Sequence, residues 1–245
     1  MAPEAKEDRL LDGRVRLRQP ARGYRAGMDA ALLAAACDAR PGQQVIEAGC
    51  GAGAVLCQVG VRQSGLTLFG VERDPDAAAL ARENLALNSL AGEVVTGDVA
   101  EGFRPLGQSP FDWAVSNPPF FDDEASLRSP APERRGAWIA DDGLAAWTGF
   151  LLKAVREGGS IVIIHRADRL ADLLTLLAPN AGSFQIRPIH PFADEPAKRV
   201  LVRAVKTGKA PLRIDPALIL HDRSGGKHTP ETEAILRGRA ALPWS

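Results

Sequence analysis

Glu47-Ala48-Gly49-Cys50-Gly51-Ala52-Gly53 is the stretch on which the fold turns. It follows the apolar run Gln44 to Ala48 and precedes a helical pattern that reaches Arg62, so its glycines fall at a strand-to-helix turn. Glycine there turns the chain at positive φ and lets the backbone approach a ligand, while the helix start offers N–H donors. Ala54 also completes a G-x-G-x-x-A pattern. That pattern alone leaves a dinucleotide, another nucleoside or a ligand-free turn equally open.

Working outward from that turn, short apolar strands alternate with helical stretches. The strands are expected at Leu66 to Val71, Glu93 to Thr96, Phe111 to Val115, Ser160 to His165, Phe184 to Ile189 and Arg199 to Val205. Helices are expected from Pro75 to Leu90, Asp141 to Arg156 and Arg169 to Leu177. Alternation of this kind predicts an α/β fold with a doubly wound, seven-stranded, mostly parallel sheet. The last strand should be antiparallel, because only the short Pro191-to-Pro196 link precedes it. Upstream, Arg14-Val15-Arg16-Leu17-Arg18 alternates like a hairpin arm, and an alanine-rich helix from Met28 to Ala39 stops at Pro41-Gly42. Residues 1–40 are therefore expected to form an arm and helix packed on a core of residues 41–245, one domain in all. Phe121 to Trp138, rich in proline, acids and arginines, reads as a long loop of the kind that often carries function.

Three acids stand where the first three core strands end. Glu47 precedes the glycines, where a carboxylate suits a cationic ligand and repels a pyrophosphate. Glu72 closes the next strand, placed to accept from both hydroxyls of a ribose, and Asp98 closes the third. As a set they suit a sulfonium nucleoside better than a nicotinamide dinucleotide. The fourth strand runs into Ser116-Asn117-Pro118-Pro119-Phe120. Two prolines fix φ and remove donors, leaving a rigid turn whose carbonyls are free to accept. The Asn117 side chain and the Pro118 carbonyl could together accept both protons of an exocyclic amine, keeping its lone pair available for attack on a methyl sulfonium. Phe120 offers a face on which a flipped-out base can stack.

These residues resemble the class I S-adenosylmethionine-dependent methyltransferases, in particular the amino-methylating group with the Asn-Pro-Pro-(Tyr/Phe) motif. Gln19-Pro20-Ala21-Arg22-Gly23-Tyr24-Arg25, followed by Met28-Asp29-Ala30 and Leu32-Leu33, is similar to the lead-in of the bacterial tRNA valine adenine-37 N6-methyltransferases. The likeness spans roughly Asp8 to Leu236, including Lys198-Arg199-Val200-Leu201-Val202 and Thr229-Pro230-Glu231. It implies S-adenosylmethionine as cofactor, bound by Glu47, Gly49, Gly51, Glu72, Asp98 and Asn117, with Tyr24 and Arg25 closing over it. It further implies a catalytic turn of Asn117, Pro118, Pro119 and Phe120, acting on an adenine in RNA beside a tRNA anticodon. Phe120 stands where the adenine enzymes most often carry tyrosine, and guanine-N2 enzymes of ribosomal RNA often carry phenylalanine there. His228 stands where the tail of the family is expected to carry a tyrosine.

Composition bounds the remaining classes. Thirty Lys and Arg balance thirty Asp and Glu, so no global positive field gathers nucleic acid, and an RNA contact needs a local patch. Pro196 to Arg213 supplies six bases and no acid, which nominates Lys198, Arg199, Arg203 and Lys206 as an RNA-binding face. Bases spread over both faces of an edge strand would explain the same run equally well. The odd cysteine count and the scattered histidines give no metal cluster, and Gly225-Gly226-Lys227-His228 lacks the spacing of a phosphate loop. The longest apolar run, Ala30 to Cys37, is too short to cross a bilayer, so no membrane partner and a cytoplasmic location are expected. Competing functions are N2-methylation of guanine in ribosomal RNA, N5-methylation of a protein glutamine, DNA adenine methylation, a Rossmann oxidoreductase and a noncatalytic nucleoside-binding module.

Overall fold

The computed structural model describes residues 5–20, 26–119 and 141–244. Val45, Ile46 and Ala48 of β3 (Gln44–Ala48) are wholly buried, as an apolar strand covered on both faces must be. Around it the main sheet assembles β4 (Thr67–Glu72), β5 (Gly92–Thr96), β6 (Phe111–Ser116), β7 (Val155–Arg166), β8 (Ala181–His190) and β9 (Arg199–Lys206) in the order β8-β9-β7-β6-β3-β4-β5. All neighbours are parallel except β9, which is antiparallel to both β7 and β8. The antiparallel last strand of the core and the doubly wound order thus match the sequence pattern.

The strand count does not. Two short strands, β10 (Arg213–Ile214) and β11 (Leu218–Ile219), pair in parallel with β8 and make the sheet nine-stranded. Two-residue strands carry no periodic signal; they form because the chain after β9 doubles back along the open edge of β8 and satisfies its backbone groups.

Helices cover both faces. On one lie α1 (Met28–Ala36), α2 (Ala54–Arg62), α3 (Pro75–Leu87) and α6 (Pro230–Leu236); on the other lie α4 (Asp141–Ala154) and α5 (Leu170–Leu177). The start of α3 was plain from its sequence: Asp74 accepts from the Asp76 and Ala77 N–H groups, and Pro75 occupies the first turn. α1 ends at Ala36, three residues short of expectation, because the carbonyls of Ala35 and Ala36 accept from Leu242 N–H and the Trp244 indole. α4 stops at Ala154, since Val155 is already paired with Phe111 in the sheet. Ahead of the sheet, β1 (Ala5–Leu10) and β2 (Val15–Pro20) form the expected hairpin, with Val15 and Leu17 buried and the arginines outward. The loop expected over 121–138 lies outside the described residues. Among the described residues no helix is long and apolar enough to cross a membrane.

Candidate active site

Strand order reverses between β3 and β6: from β3 the chain winds to β4 and β5 on one side and reaches β6 on the other. A crevice opens at such a switch point beyond the carboxyl ends of the strands. Register brings the nominated residues to its rim. Ala48 pairs with Val71 on one side and Ser116 on the other, so Gly49, Glu72 and Asn117 leave three adjacent strands at one level. Ser116, fully buried, donates from Oγ to the Ala48 carbonyl at 3.0 Å and fixes that alignment at the residue before the Asn-Pro-Pro turn.

The three glycines of the loop have φ of 69° (Gly49), 52° (Gly51) and 79° (Gly53), all in the left-handed region. Gly49 and Cys50 both donate to the Val71 carbonyl. A methyl on Gly49 would overlap the indole of Trp147 of α4, and one on Gly53 would meet Ala81 of α3, whereas one on Gly51 would enter open space. Gly49 and Gly53 are thus required by packing, and Gly51 is the one that faces the crevice.

Glu72 braces this loop. One of its carboxylate oxygens accepts from Gly51 N–H and the other from Asp74 N–H, each at 2.9 Å. A carboxylate oxygen has a second lone pair, so Glu72 can still accept from a diol. Asp98, just beyond β5, accepts from Ala100 N–H through Oδ1 at 2.9 Å and starts a short 3-10 turn. Glu47 sits differently from its expected exposure to a ligand: it is 2% exposed and accepts from Leu56 N–H, the third residue of α2, at 3.3 Å. Gly53 at the N-cap has no side chain, so Glu47 supplies the capping bond from the neighbouring strand. Burial pushes its carboxyl well above the usual range, the Glu72 charge adds to that, and the Leu56 N–H opposes it. A cation arriving in the crevice would favour its ionised form.

Asn117 is half-buried and Pro118 buried at the end of β6, beside the glycine loop. Phe120, Tyr24 and Arg25 lie outside the described residues. The cysteines supply no nucleophile: burial raises Cys50, and it holds the Cys37 and Cys57 thiols at about 12. Among the described residues no group of three His, Cys, Asp or Glu is arranged to hold a metal. An open position at Gly51, a diol acceptor at Glu72 and a buried acid beneath fit a cationic nucleoside such as S-adenosylmethionine.

Two asparagines near the site were not nominated from the sequence. Asn84 of α3, wholly buried, accepts from Arg18 N–H and donates to the Arg18 and Ala52 carbonyls, all at 2.8 Å. Asn88 repeats the pattern on Arg16, accepting from its N–H and donating to its carbonyl. Their amides act as a backbone surrogate that joins β2 to α3, and Asn84 also ties the hairpin to the glycine loop. Their spacing of four on one helix face was the available clue.

The basic run does not converge. β9 is an interior strand, and Arg199 and Arg203 point to the α1 face while Lys206 points to the other. Arg199 pairs with Asp29 at 3.1 Å. Arg203 lies over the Trp113 ring at 5.1 Å and bonds Gln185 and Ser160. Lys206 donates to the Val155 carbonyl at 3.0 Å, and Lys198 is exposed.

The methyltransferase small domain family matches residues 25–130. A tRNA1(Val) (adenine(37)-N6)-methyltransferase of Porphyromonas gingivalis is 27% identical over 215 residues, 82% of this chain and 83% of that protein. The protein of that name from Actinobacillus succinogenes is 29% identical over 148 residues, 59% of this chain, and the match spans 62% of the relative's length. Among solved structures, a predicted O-methyltransferase from Agrobacterium tumefaciens superposes with a TM-score of 0.73 at 27% identity, over 88% of this chain and 98% of that one.

Proposed function

We propose that this chain, a class I S-adenosylmethionine-dependent methyltransferase, methylates the exocyclic N6 amine of an adenine in RNA, in tRNA next to the anticodon. The observation that carries the reading is the placement of Asn117 beside Gly49, held by the Ser116–Ala48 bond. It brings an amine-accepting turn to the rim of the cofactor crevice. The tRNA-modifying names of the two relatives support the polymer.

When bound, S-adenosylmethionine supplies a methyl group already activated by its sulfonium. The protein's task is then positioning. Gly51 leaves room for the cofactor, Glu72 and Asp98 accept from its nucleoside, and Glu47 answers its positive charge from below the loop. The resemblance also assigns Tyr24 and Arg25 to the cofactor. Asn117 Oδ1 and the Pro118 carbonyl accept the two amine protons, so that the nitrogen lone pair is withdrawn from the ring and directed at the methyl carbon. The proton released from the amine would leave to water. Pro119 stiffens the turn, and Phe120 stacks on the base.

The test is direct. The protein is incubated with labelled S-adenosylmethionine and, separately, unmodified tRNA, ribosomal RNA, duplex DNA and cell protein, and the product is identified after digestion. We expect N6-methyladenosine in tRNA, where the anticodon loop presents unpaired purines at low unstacking cost. N2-methylguanosine in ribosomal RNA would make Phe120 the telling residue, and methylglutamine would defeat the stacked-base argument.

A further inference from the structure

We infer that Phe192, His221 and His228, with Arg223, form a base-stacking platform for the single strand of RNA that flanks the target nucleotide. The inference rests on the RNA reading above. These residues sit in two loops that leave the same edge of the sheet as Asn117. β8 runs parallel with β7 and β6, since each is antiparallel to β9 or parallel to the other, so Phe192 follows a strand end at the catalytic edge. β11 is parallel to β8 with Ile219 opposite His190, so His221 emerges at that edge too.

The rings form a contiguous cluster, stacked between His221 and His228 and tilted by 45° between Phe192 and His221. His221 and His228 are 5.1 Å apart at 26°, Phe192 is 5.4 Å from His221, and the Arg223 guanidinium lies 4.3 Å over the Phe192 ring. None belongs to either hydrophobic core cluster, and all retain exposed surface. The cluster therefore contributes little to the buried core, yet it is held in place. His221 Nδ1 donates to the Lys227 carbonyl at 2.7 Å, and Thr229 and Thr232 both donate to the Ile219 carbonyl. Asp194 and Glu195 neutralise Arg223, leaving it as a flat face more than as a charge, while Lys198 and Lys227 stand exposed nearby in sequence for the phosphates.

Flat, sequence-tolerant faces beside exposed lysines are what a single strand requires. The distance suits it as well. Three strand spacings separate β8 from β6, about 14 Å, which about four stacked nucleotides span. The platform would hold bases a few positions from the one presented to Asn117.

The experiment compares the parent with His228→Ala, His221→Ala and His228→Tyr in steady-state methylation of unmodified tRNA, alongside S-adenosylmethionine affinity. Loss of one base stack predicts a KM for tRNA raised about fivefold or more. The turnover at saturation and cofactor affinity should be unchanged, and His228→Tyr should behave like the parent because it keeps a ring. Unchanged KM in both alanine variants, with the parent active on tRNA, overturns the platform alone. A tyrosine variant as poor as the alanine one also overturns it. A parent that methylates no RNA overturns the RNA reading, and the platform with it.

Discussion

The carboxyl ends of β3, β4 and β6 and the length of β9 are both rich in polar side chains, yet only the first set converges. Parallel strands in register end at one level, so residues far apart in sequence, Gly49, Glu72 and Asn117, become neighbours at a rim. Along one strand, successive side chains alternate faces, so Arg199, Arg203 and Lys206 separate and take up partners inside the protein. Closeness in sequence inside a strand is weaker evidence for a shared surface than shared position at strand ends.

The largest loss is expected at the rim. Asn117→Ala should lower turnover by about 10²- to 10³-fold while cofactor affinity measured by calorimetry stays within a few-fold, the scale of losing one preorganised polar group at a reacting centre. Equal turnover would remove Asn117 from the chemistry.

The two glycines offer a contrast of nearly similar size. Gly49→Ala meets both left-handed strain and the Trp147 ring, and should cost on the order of 3 to 4 kcal/mol in denaturant unfolding. Gly51→Ala meets strain alone, so it should fold with a loss of about 1 to 2 kcal/mol while binding S-adenosylmethionine poorly. If the two variants lose stability equally, Trp147 does not press on the loop as described.

Between the two regions stands His165, 3% exposed at the carboxyl end of β7. Burial first, then Arg169, Arg166 and Arg199, hold its imidazole at about 4 against an ordinary 6.5. The unfolded chain therefore takes up a proton between pH 6.5 and 4 that the folded chain refuses, and stability falls as pH drops through that window, by about 3 kcal/mol. In His165→Gln that part of the acid loss should vanish, as read from urea midpoints across the window. Parallel pH profiles for variant and parent would refute it.

The smallest effects belong to β9 and the residue that precedes it. Lys206→Met should cost no more than about 1 kcal/mol in stability and leave the salt dependence of RNA binding unchanged. Lys198→Met should reduce the slope of log affinity against log salt by about 0.7 to 0.9, one phosphate contact. The reverse result would restore β9 as a basic face.

Much of the parallel core was legible because its signals are local: apolar runs, the glycine turn, Asp74 with Pro75, and prolines after Asn117. The parts that were not legible depend on distant partners. The ends of α1 and α4 are set by residues from other parts of the chain, and β10 and β11 exist only against the edge of β8. Glu47 was recognisable as a strand-end acid, but its role as the cap of α2 requires knowing that Gly53 leaves the helix start without one. Asn84 and Asn88 look like ordinary helix polars until β2 lies beside them. Tertiary pairing decided each of these.

The tie between α1 and residues 235–244 also sets a schedule for synthesis. Leu242 N–H and the Trp244 indole reach Ala35 and Ala36, Arg62 donates to the Ile235 and Ala240 carbonyls, and Arg187 donates to that of Pro243. About two hundred residues separate α1 from this strap, so a ribosome adding roughly 5 to 20 residues per second leaves the alanine-rich surface uncovered for about 10 to 40 s. During that interval the nascent chain presents the kind of apolar surface that chaperones bind.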